Sequence, residues 1–172
     1  MSDELPSGTD LWQRAEQVIV RETIGALASH GDGEVSVCNV FLVWLPGGRF
    51  GFKSRRQSAH MQNLARDASA ALAIYDTRST YESKRGVQLK GEVRPPGDVD
   101  EMHEVVSAYA ARFPGSEKKL GSNEELLRPE TPSTFFIFDV KTYRLVDESA
   151  EGNRTMAAME SWPPVQDIAP NA

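Results

Sequence analysis

The sequence predicts a mainly β fold of the α+β class, an antiparallel barrel with two to three peripheral helices. At least five segments have strand-like patterns, short glycine turns join several of them, and few segments have helical spacing. A chain of 172 residues is long enough for one domain with a hydrophobic core and short for two. We expect one domain over residues 9–148, a flexible N-terminal tail at 1–8 and a polar C-terminal tail at 149–172.

The composition argues against several classes of protein. Nineteen Lys and Arg residues against 25 Asp and Glu residues give a net charge of −6, which is unfavourable for coating nucleic acid. No run approaches the roughly 18 apolar residues of a membrane-spanning helix, and the N-terminal sequence does not resemble a secretory signal. Cys38 is the single cysteine, so no internal disulfide can form. We therefore expect a cytoplasmic protein without nucleic-acid or membrane partners.

The first half of the chain is predicted to form one helix, three strands and a second helix. Apolar residues recur at helical spacing after Asp10, the predicted N-cap. A short helix is expected to begin after Ser58. Between the two helices, strands joined by glycine-containing turns are predicted over residues 23–29, 34–45 and 49–54.

The second half is predicted to add two strands, a helix and a long final strand. The strands at 70–75 and 87–93 have apolar residues at alternate positions, and the alternative for residues 70–75 is a continuation of the second helix. Asp98, followed three residues later by a glutamate, is expected to cap an amphipathic helix. A polar connector, in which one helical turn is expected near residues 124–127, then leads to the final strand, whose apolar positions change parity. This change predicts a bulge between Val140 and Tyr143.

The segment FGFKSRRQSAH is the strongest candidate for a binding site. A strand delivers Lys53 and Ser54, a turn presents Arg55 and Arg56, and Ser58 is placed to cap the next helix. A helix N-terminus offers unpaired N–H groups and partial positive charge, to which hydroxyl and guanidinium groups add donors. The pattern is typical of a phosphate cradle, and the alternative is a solvated basic turn with an ordinary N-cap serine.

Other motifs for cofactors and metals are incomplete. The sequence has fragments of a dinucleotide-binding motif, a P-loop and a zinc-protease helix, and each lacks a required residue. One cysteine and three scattered histidines show no metal-ligand spacing, so we predict no metal site. Nothing in these fragments competes with the basic turn as a candidate site.

The order of strand, glycine turn, strand and S-x-x-x-S-x-H at a helix start resembles the pyridoxamine 5'-phosphate oxidase-like family of FMN-binding split barrels. The corresponding family pattern is T-x-x-x-S-x-K, and Ser54 and Ser58 match its hydroxyl positions. The strand VQLKGEVR is similar to the family's long central strand. The resemblance covers residues 23–147. Within the family, the chain is similar in particular to a little-characterised bacterial branch. It implies FMN bound between the subunits of a homodimer, with its phosphate at the turn.

The sequence departs from this family at three basic positions. The family places an arginine and, five residues later, a lysine on the second strand, where this chain has Cys38 and Val43. His60 replaces the lysine of the helix motif, and a histidine with its ordinary pKa near 6.5 is mostly neutral at pH 7. We hypothesise that the missing charge is supplied by basic residues of the turn, namely Lys53, Arg55 and Arg56.

The resemblance also implies contacts with the flavin ring and its phosphate. Backbone groups of Val40 and Phe41 would contact the ring, and His60 would approach the phosphate. Gln88 lies on the polar face of its strand, so it is either a hydrogen-bond partner of the ring or a solvent-facing side chain. Asn39 interrupts an apolar strand face and needs a polar partner, either the cofactor or backbone.

These observations predict an FMN-dependent oxidoreductase whose substrate and catalytic residues are unknown. The alternative is a non-enzymatic protein that binds or sequesters flavin, because a fold alone does not determine a function. The deazaflavin F420 and haem are alternative cofactors. Oxidation of pyridoxamine phosphate itself is not expected, since no residues for the phosphate of that substrate are recognisable.

Overall fold

A computed structural model describes residues 8–148 and 155–159. The helices are α1 Gly8–Arg21, α2 Ala59–Arg66, α3 Val99–Arg112 and α4 Asn123–Leu127. The strands are β1 Ile24–Gly31, β2 Glu34–Leu45, β3 Arg49–Arg55, β4 Ser69–Tyr75, β5 Arg85–Arg94, β6 Ser133–Asp147 and β7 Thr155–Met159. A 3₁₀ turn at Ser116–Lys119 lies between α3 and α4. Within the described residues, no helix combines the length and apolar character needed to cross a membrane.

Six of the strands close into an antiparallel barrel. Neighbouring strands run in the order β3-β2-β1-β4-β5-β6, and β6 also pairs with β3. β6 can pair with both strands because its residues 133–139 lie against β3 and its residues 137–147 lie against β5. β7 adds to the outer edge of the second half of β6. The predicted antiparallel split barrel is confirmed.

A bulge in β6 keeps its apolar residues inside the barrel. The register between β5 and β6 shifts between Lys90 and Gly91, and Lys141 is the extra residue of β6. Consequently Phe138 and Tyr143, which have opposite parity, are both buried in the barrel core. Gly91 is required at this point because a Cβ there would collide with the carbonyl group of Asp139. The predicted bulge between Val140 and Tyr143 is confirmed.

Two helices complete the core of the barrel. Buried residues of α1, among them Val18, join the same hydrophobic cluster as Leu64 of α2. α1 packs mainly against β5, and α2 packs mainly against β1. Because α2 follows β3 directly, its docking fixes the position of the basic turn between them.

A second apolar layer lies between α3, α4 and the outside of the barrel. Val43 and Leu45 of β2 are buried here against Val105 of α3 and Leu126 of α4. The helix approaches so closely that a Cβ at Gly51 of β3 would collide with the Val105 side chain. α3 does not cover the first part of β2. The odd-numbered residues of that part are exposed, with fractions of 75% for Val35, 65% for Val37 and 53% for Phe41.

Helix caps agree with the sequence in one case and differ in another. Asp98 accepts a hydrogen bond from the Glu101 N–H at 2.8 Å, so the predicted N-cap of α3 is confirmed. The predicted N-cap at Asp10 is wrong, because α1 begins earlier, at Gly8.

Several element boundaries also differ from the sequence prediction. β1 continues to Gly31, and the turn is the two-residue loop Asp32-Gly33, whose φ angles are +52° and +82°. Positive φ at both positions is typical of the hairpin turn that matches strand twist. α4 lies at the helical turn expected near residues 124–127, whereas β7 lies within the segment expected to be a polar C-terminal tail. Residues 1–7 of the expected N-terminal tail lie outside the described residues.

An ion-pair network fastens α3 to the barrel. Arg94 of β5 donates to both carboxylate oxygens of Glu101 at 2.7 Å and to Asp139 of β6 at 2.6 Å. Arg49 of β3 donates to Glu101 at 3.1 Å, and the Gly97 N–H donates to the same carboxylate at 2.7 Å. These contacts, led by the Arg94 hydrogen bonds, lower the pKa of Glu101 to about 2. Glu101 therefore links three elements through one ionised group.

Replacing Glu101 by Gln is expected to lower the free energy of unfolding at pH 7 by about 1.5–3 kcal/mol, the usual contribution of a hydrogen bond to a charged group. The folded-state pKa of Glu101 lies below its ordinary value of 4.5. Its contribution is therefore complete above pH 4.5 and is lost progressively as the pH falls towards 2.

Urea unfolding of both proteins at pH 7 and at pH 3 checks this expectation. The difference between Glu101→Gln and the natural protein should be clearly smaller at pH 3. Exposed Glu130 provides the matched control, Glu130→Gln, which should change stability little at either pH. Equal losses in the two variants would show that the network does not stabilise the fold.

Candidate functional site

The candidate site lies where β2 and β3 separate. Their ladder ends at the pair Leu42 and Phe52, although β3 continues to Arg55. Beyond this point, the described pairing of β3 is with β6 at residues 133–135. α2 begins four residues after the end of β3, at Ala59. Residues 34–41 of β2 pair with β1 in the described structure, and their other edge, which faces away from β1, is left open by the separation.

Three side chains meet at this separation, and we call Ser54, Ser58 and His60 the hydroxyl–imidazole cluster. The Nε2 atom of His60 lies 2.8 Å from the Ser54 Oγ and 3.1 Å from the Ser58 Oγ. The two serine oxygens are 3.4 Å apart. The cluster contains two of the family's hydroxyl positions and the histidine that replaces its lysine.

The N-terminus of α2 has no side-chain cap. Ser58 occupies the N-cap position with extended backbone angles, as predicted, but its hydroxyl makes no capping hydrogen bond. The Ser58 Oγ instead donates to the carbonyl oxygen of Arg55 at 2.8 Å. Because the first N–H groups of a helix have no partner within the helix, those of α2 remain available to an acceptor from outside.

Hydrogen-bond accounting shows how the cluster could receive an anion. The Ser58 proton is used by the Arg55 carbonyl, so the Ser58 oxygen accepts from His60 or from Ser54. If Nε2 of His60 carries the proton, the Ser54 hydroxyl is free to donate to a ligand. If Nδ1 carries it, the Ser54 hydroxyl donates to Nε2 instead. An anion therefore favours the form of His60 protonated at Nε2.

The imidazole of His60 is mostly neutral when the site is empty. It is partly buried, and burial lowers its pKa below the ordinary value of 6.5. No charged neighbour contributes to this shift. At pH 7 the cluster therefore offers dipolar donors and no net positive charge, unlike the lysine of the family pattern.

The basic residues of the turn do not all point at the cluster. The Arg56 Nε donates to the Thr131 carbonyl at 3.1 Å, and its Nη2 donates to the Arg128 carbonyl at 3.3 Å. Its guanidinium also lies 5.8 Å from the centroid of the Phe136 ring. Arg56 thus anchors the connector between α4 and β6. Arg55 is exposed beside the cluster.

Lys53 has a different position from the two arginines. It is half-buried on β3, next to Ser54 in the chain, and successive strand residues point to opposite faces. The Lys53 side chain therefore leaves β3 on the side away from the hydroxyl–imidazole cluster. Arg55 has the same parity as Lys53, but it is the last residue of β3, it is exposed, and no described contact holds its side chain. Of the three residues expected to supply charge, Arg55 is therefore the one that can most easily turn towards the cluster.

The two missing family cations are replaced by residues with packing roles. Cys38 is half-buried beside the barrel core, and burial raises the pKa of its thiol, so the thiol is uncharged. Val43 is only 3% exposed and lies under α3. A cation at position 43 would be buried in the apolar layer between β2 and α3, which is strongly unfavourable.

The ring-binding candidates occupy the outer face of the sheet. Asn39 and Phe41 are exposed there, whereas Val40 points into the barrel and offers only its backbone to this face. The edge of Phe41 contacts Phe113 of α3, with ring centroids 5.4 Å apart. Asn39 faces solvent, and its expected polar partner is not provided by a described hydrogen bond. These residues are brought together on one side of β2.

Gln88 lies on the same face but far from Asn39. The cross-strand pairs run from Asn39 to Ala26 of β1, then to Ala73 of β4 and Gln88 of β5. Three strand spacings separate the two polar side chains by roughly 14 Å. One chain therefore does not bring Gln88 to the cluster. The alanines between them alternate along both strands, a pattern that did not by itself predict a site.

Among the described residues, no three His, Cys, Asp or Glu side chains are placed to hold a metal ion. Each histidine interacts with protein groups instead. His30 lies 2.9 Å from an oxygen of Asp67, and His103 contacts Asn123 on the far side of α3.

Comparison with solved structures shows the same fold in several bacterial proteins. A haem-binding protein from Mycobacterium smegmatis has a TM-score of 0.68 and 19% identity over 91% of this chain and 59% of its own. A protein of unknown function from Agrobacterium tumefaciens has a TM-score of 0.64 and 18% identity over 90% of this chain and 61% of its own. An FAD-binding protein from Mesorhizobium loti has a TM-score of 0.60 and 12% identity over 80% of this chain and 92% of its own.

The sequence identities to these three proteins are low, so the comparison shows only that the fold is shared. The chain spans about 60% of the length of the first two proteins. No curated protein matches the sequence significantly. The model of the family described as pyridoxamine 5'-phosphate oxidase, however, matches residues 11–147, which include the whole barrel from β1 to β6 and the hydroxyl–imidazole cluster. The chain therefore belongs to the pyridoxamine 5'-phosphate oxidase family.

Proposed function

We propose that this protein is a cytoplasmic FMN-binding flavoprotein that acts as an oxidoreductase. One observation carries the proposal: two serine hydroxyls and an imidazole converge on a helix N-terminus whose N-cap side chain is turned away from capping. A phosphate accepts hydrogen bonds at several oxygens, and this arrangement supplies several donors at one point. The proposal assigns the FMN phosphate to this point.

The described residues fit a phosphate, with fewer charged donors than the family pattern provides. Ser54 and the first N–H groups of α2 would donate to it, His60 protonated at Nε2 would leave the Ser54 hydroxyl free to do so, and exposed Arg55 would add charge. Cys38 and Val43 cannot contribute cations. When bound, FMN would supply the redox chemistry of its ring, while this chain would bind and orient it.

A homodimer is part of the proposal. The exposed start of β2 carries Val35, Val37 and Phe41, and Ile24 of β1 is paired with Phe41 and is 48% exposed. Contiguous apolar side chains on a surface commonly mark a contact with another protein. In a two-fold dimer, β5 of the second subunit could bring its Gln88 to a flavin ring lying over β2, a contact that one chain alone does not make.

A non-enzymatic binding protein is the second candidate. Three positions that are basic in the family are uncharged here at pH 7, and His60 offers a neutral imidazole, a type of group that also binds haem iron. One bacterial protein of this fold is described as FAD-binding and another as haem-binding. The absorption spectrum of the purified protein distinguishes flavin bands from a haem Soret band. Turnover of reduced nicotinamide by the flavin-loaded protein distinguishes an enzyme from a carrier.

Replacing Ser54 and Ser58 together by alanine is expected to weaken FMN binding at least tenfold, because one hydrogen bond to a charged group contributes about 1.5–3 kcal/mol. Riboflavin lacks the phosphate and should bind both proteins equally. Fluorescence titration of each protein with each flavin measures the effect. If the double variant loses affinity for riboflavin and FMN alike, the phosphate is held elsewhere.

Replacing His60 by lysine is expected to raise FMN affinity about tenfold at pH 8, because lysine stays charged where histidine is neutral. FMN binding to the natural protein should tighten as the pH falls, since the phosphate favours the imidazolium form of His60. The advantage of His60→Lys should therefore shrink towards pH 5.5. The second ionisation of the phosphate, near pH 6, affects both proteins equally.

The ratio of the two dissociation constants across this pH range is the measurement for His60. His103→Lys, at an exposed position of α3, is the matched control, and its dissociation constant should stay equal to that of the natural protein at every pH. A constant ratio between pH 8 and pH 5.5 for His60→Lys would show that His60 does not touch the phosphate.

The two arginines of the turn are expected to have separate roles. Arg56→Ala should lower the free energy of unfolding by about 1–3 kcal/mol, because the variant loses two hydrogen bonds to carbonyl groups of the connector. Arg55→Ala should leave stability within about 0.5 kcal/mol and weaken FMN binding about fivefold. Urea unfolding and flavin titration of both variants check this. Weaker FMN binding by a fully stable Arg56→Ala protein would contradict the division of roles.

A further inference from the structure

The hydroxyl–imidazole cluster also has the geometry of a nucleophile beside a base. The Ser54 Oγ lies 2.8 Å from the Nε2 atom of His60, a distance at which a proton can pass between them. A serine hydroxyl is a weak nucleophile unless a neighbouring base accepts its proton. Holding a phosphate requires neither a nucleophile nor a base, so this pair has a chemical capacity beyond the proposed function.

The positions of the protons identify Ser54, not Ser58, as the nucleophile. The Ser58 hydroxyl donates to the Arg55 carbonyl at 2.8 Å, so its proton is not available to His60. The described hydrogen bonds of Ser54 give its hydroxyl no backbone acceptor, and it donates to Nε2 when the ring carries its proton at Nδ1. The Ser58 oxygen, 3.1 Å from Nε2, is placed to accept from that nitrogen once it has gained a proton.

His60 is in the state that a base requires. Its imidazole is half-buried, and burial lowers its pKa, so at pH 7 the ring is mostly neutral and keeps a free lone pair. Ser54 is half-buried at the opening where β3 separates from β2, which gives a small molecule access to its hydroxyl. The first N–H groups of α2, which the Ser58 side chain does not cap, can stabilise a developing oxyanion.

We propose that Ser54 and His60 form a catalytic pair that hydrolyses small acyl esters when no phosphate occupies the cluster. The Ser54 oxygen would attack the ester carbonyl carbon while its proton passes to Nε2 of His60. The bond between the carbonyl carbon and the alcohol oxygen then breaks. The alcohol leaves with the proton from Nε2, and the acyl group stays on Ser54.

Water completes the reaction. It attacks the acyl group while His60 again accepts a proton, the acid is released, and the Ser54 hydroxyl is restored. One ester and one water therefore give one acid and one alcohol, with no oxidation or reduction. Because the nucleophile is half-buried, short acyl groups are favoured over long ones.

Ester hydrolysis and FMN binding would exclude each other at the cluster. A bound phosphate favours His60 protonated at Nε2, and this form cannot accept the Ser54 proton. FMN should therefore inhibit hydrolysis. The hydrolysis itself needs no flavin, so the two proposals can fail separately. Hydrolysis that FMN does not inhibit would support the catalytic pair and contradict the phosphate site.

The ester p-nitrophenyl acetate tests the proposal with the full chain. We expect a burst of p-nitrophenol equal to the amount of protein, followed by slower turnover, as acyl-enzyme formation gives. Mass spectrometry of chymotryptic peptides should find the acetyl group on Ser54. Lys53 is the neighbouring control position, because its amine reacts with the same ester without catalysis. This measurement uses the natural protein, so it does not depend on the folding of a variant.

Three variants complete the test. Ser54→Ala should abolish the burst, and His60→Gln should slow it about a hundredfold, a usual contribution of a general base. His103 and Ser107 are an exposed pair on α3, with Nε2 and Oγ 3.4 Å apart, so His103→Gln is the matched control and should leave the burst unchanged. Acetylation of Lys53 without Ser54, a full burst in Ser54→Ala, or equal rates for the two histidine variants would each overturn the proposal.

Discussion

The architecture depends on one strand that pairs along both of its edges and changes partners along its length. β6 closes the barrel by lying against β3 at its start and against β5 over the rest. The change is possible because the bulge at Lys141 turns the strand without exposing Phe138 or Tyr143. Closure removes the free edge of β3 on this side, while the other edge separates from β2 beyond Phe52. The candidate site occupies that remaining opening.

The chemistry of the opening differs from that of the family because charge has been exchanged for packing. Val43 belongs to the layer that carries α3, and Arg56 holds the connector that leads into β6. Both positions serve the fold, which leaves hydroxyl groups, helix N–H groups and a neutral imidazole as the donors of the site. Such donors recognise the shape of a phosphate well and attract it weakly from a distance, because dipolar interactions fall off faster than charge interactions.

The sequence predicted those features that local patterns determine. The bounds of β2, the cap of α3 at Asp98 and the bulge in β6 follow from alternation, capping and parity within short segments. The convergence of Ser54 with His60 was also predictable, since strand, turn and helix are consecutive. Contacts between distant segments were not predictable from one sequence. β7 is defined by pairing with β6, and the role of Arg56 depends on carbonyl groups more than 70 residues away.

The close approach of α3 to the barrel also restricts which residues the sheet can carry. Gly51 lies so close to Val105 and Val43 that a side chain added at position 51 would collide with both. A lysine introduced at position 43 alone would be trapped beneath α3, so this position can accept a cation only after changes elsewhere that move the helix. The docking of one helix therefore limits which single substitutions β2 can accept.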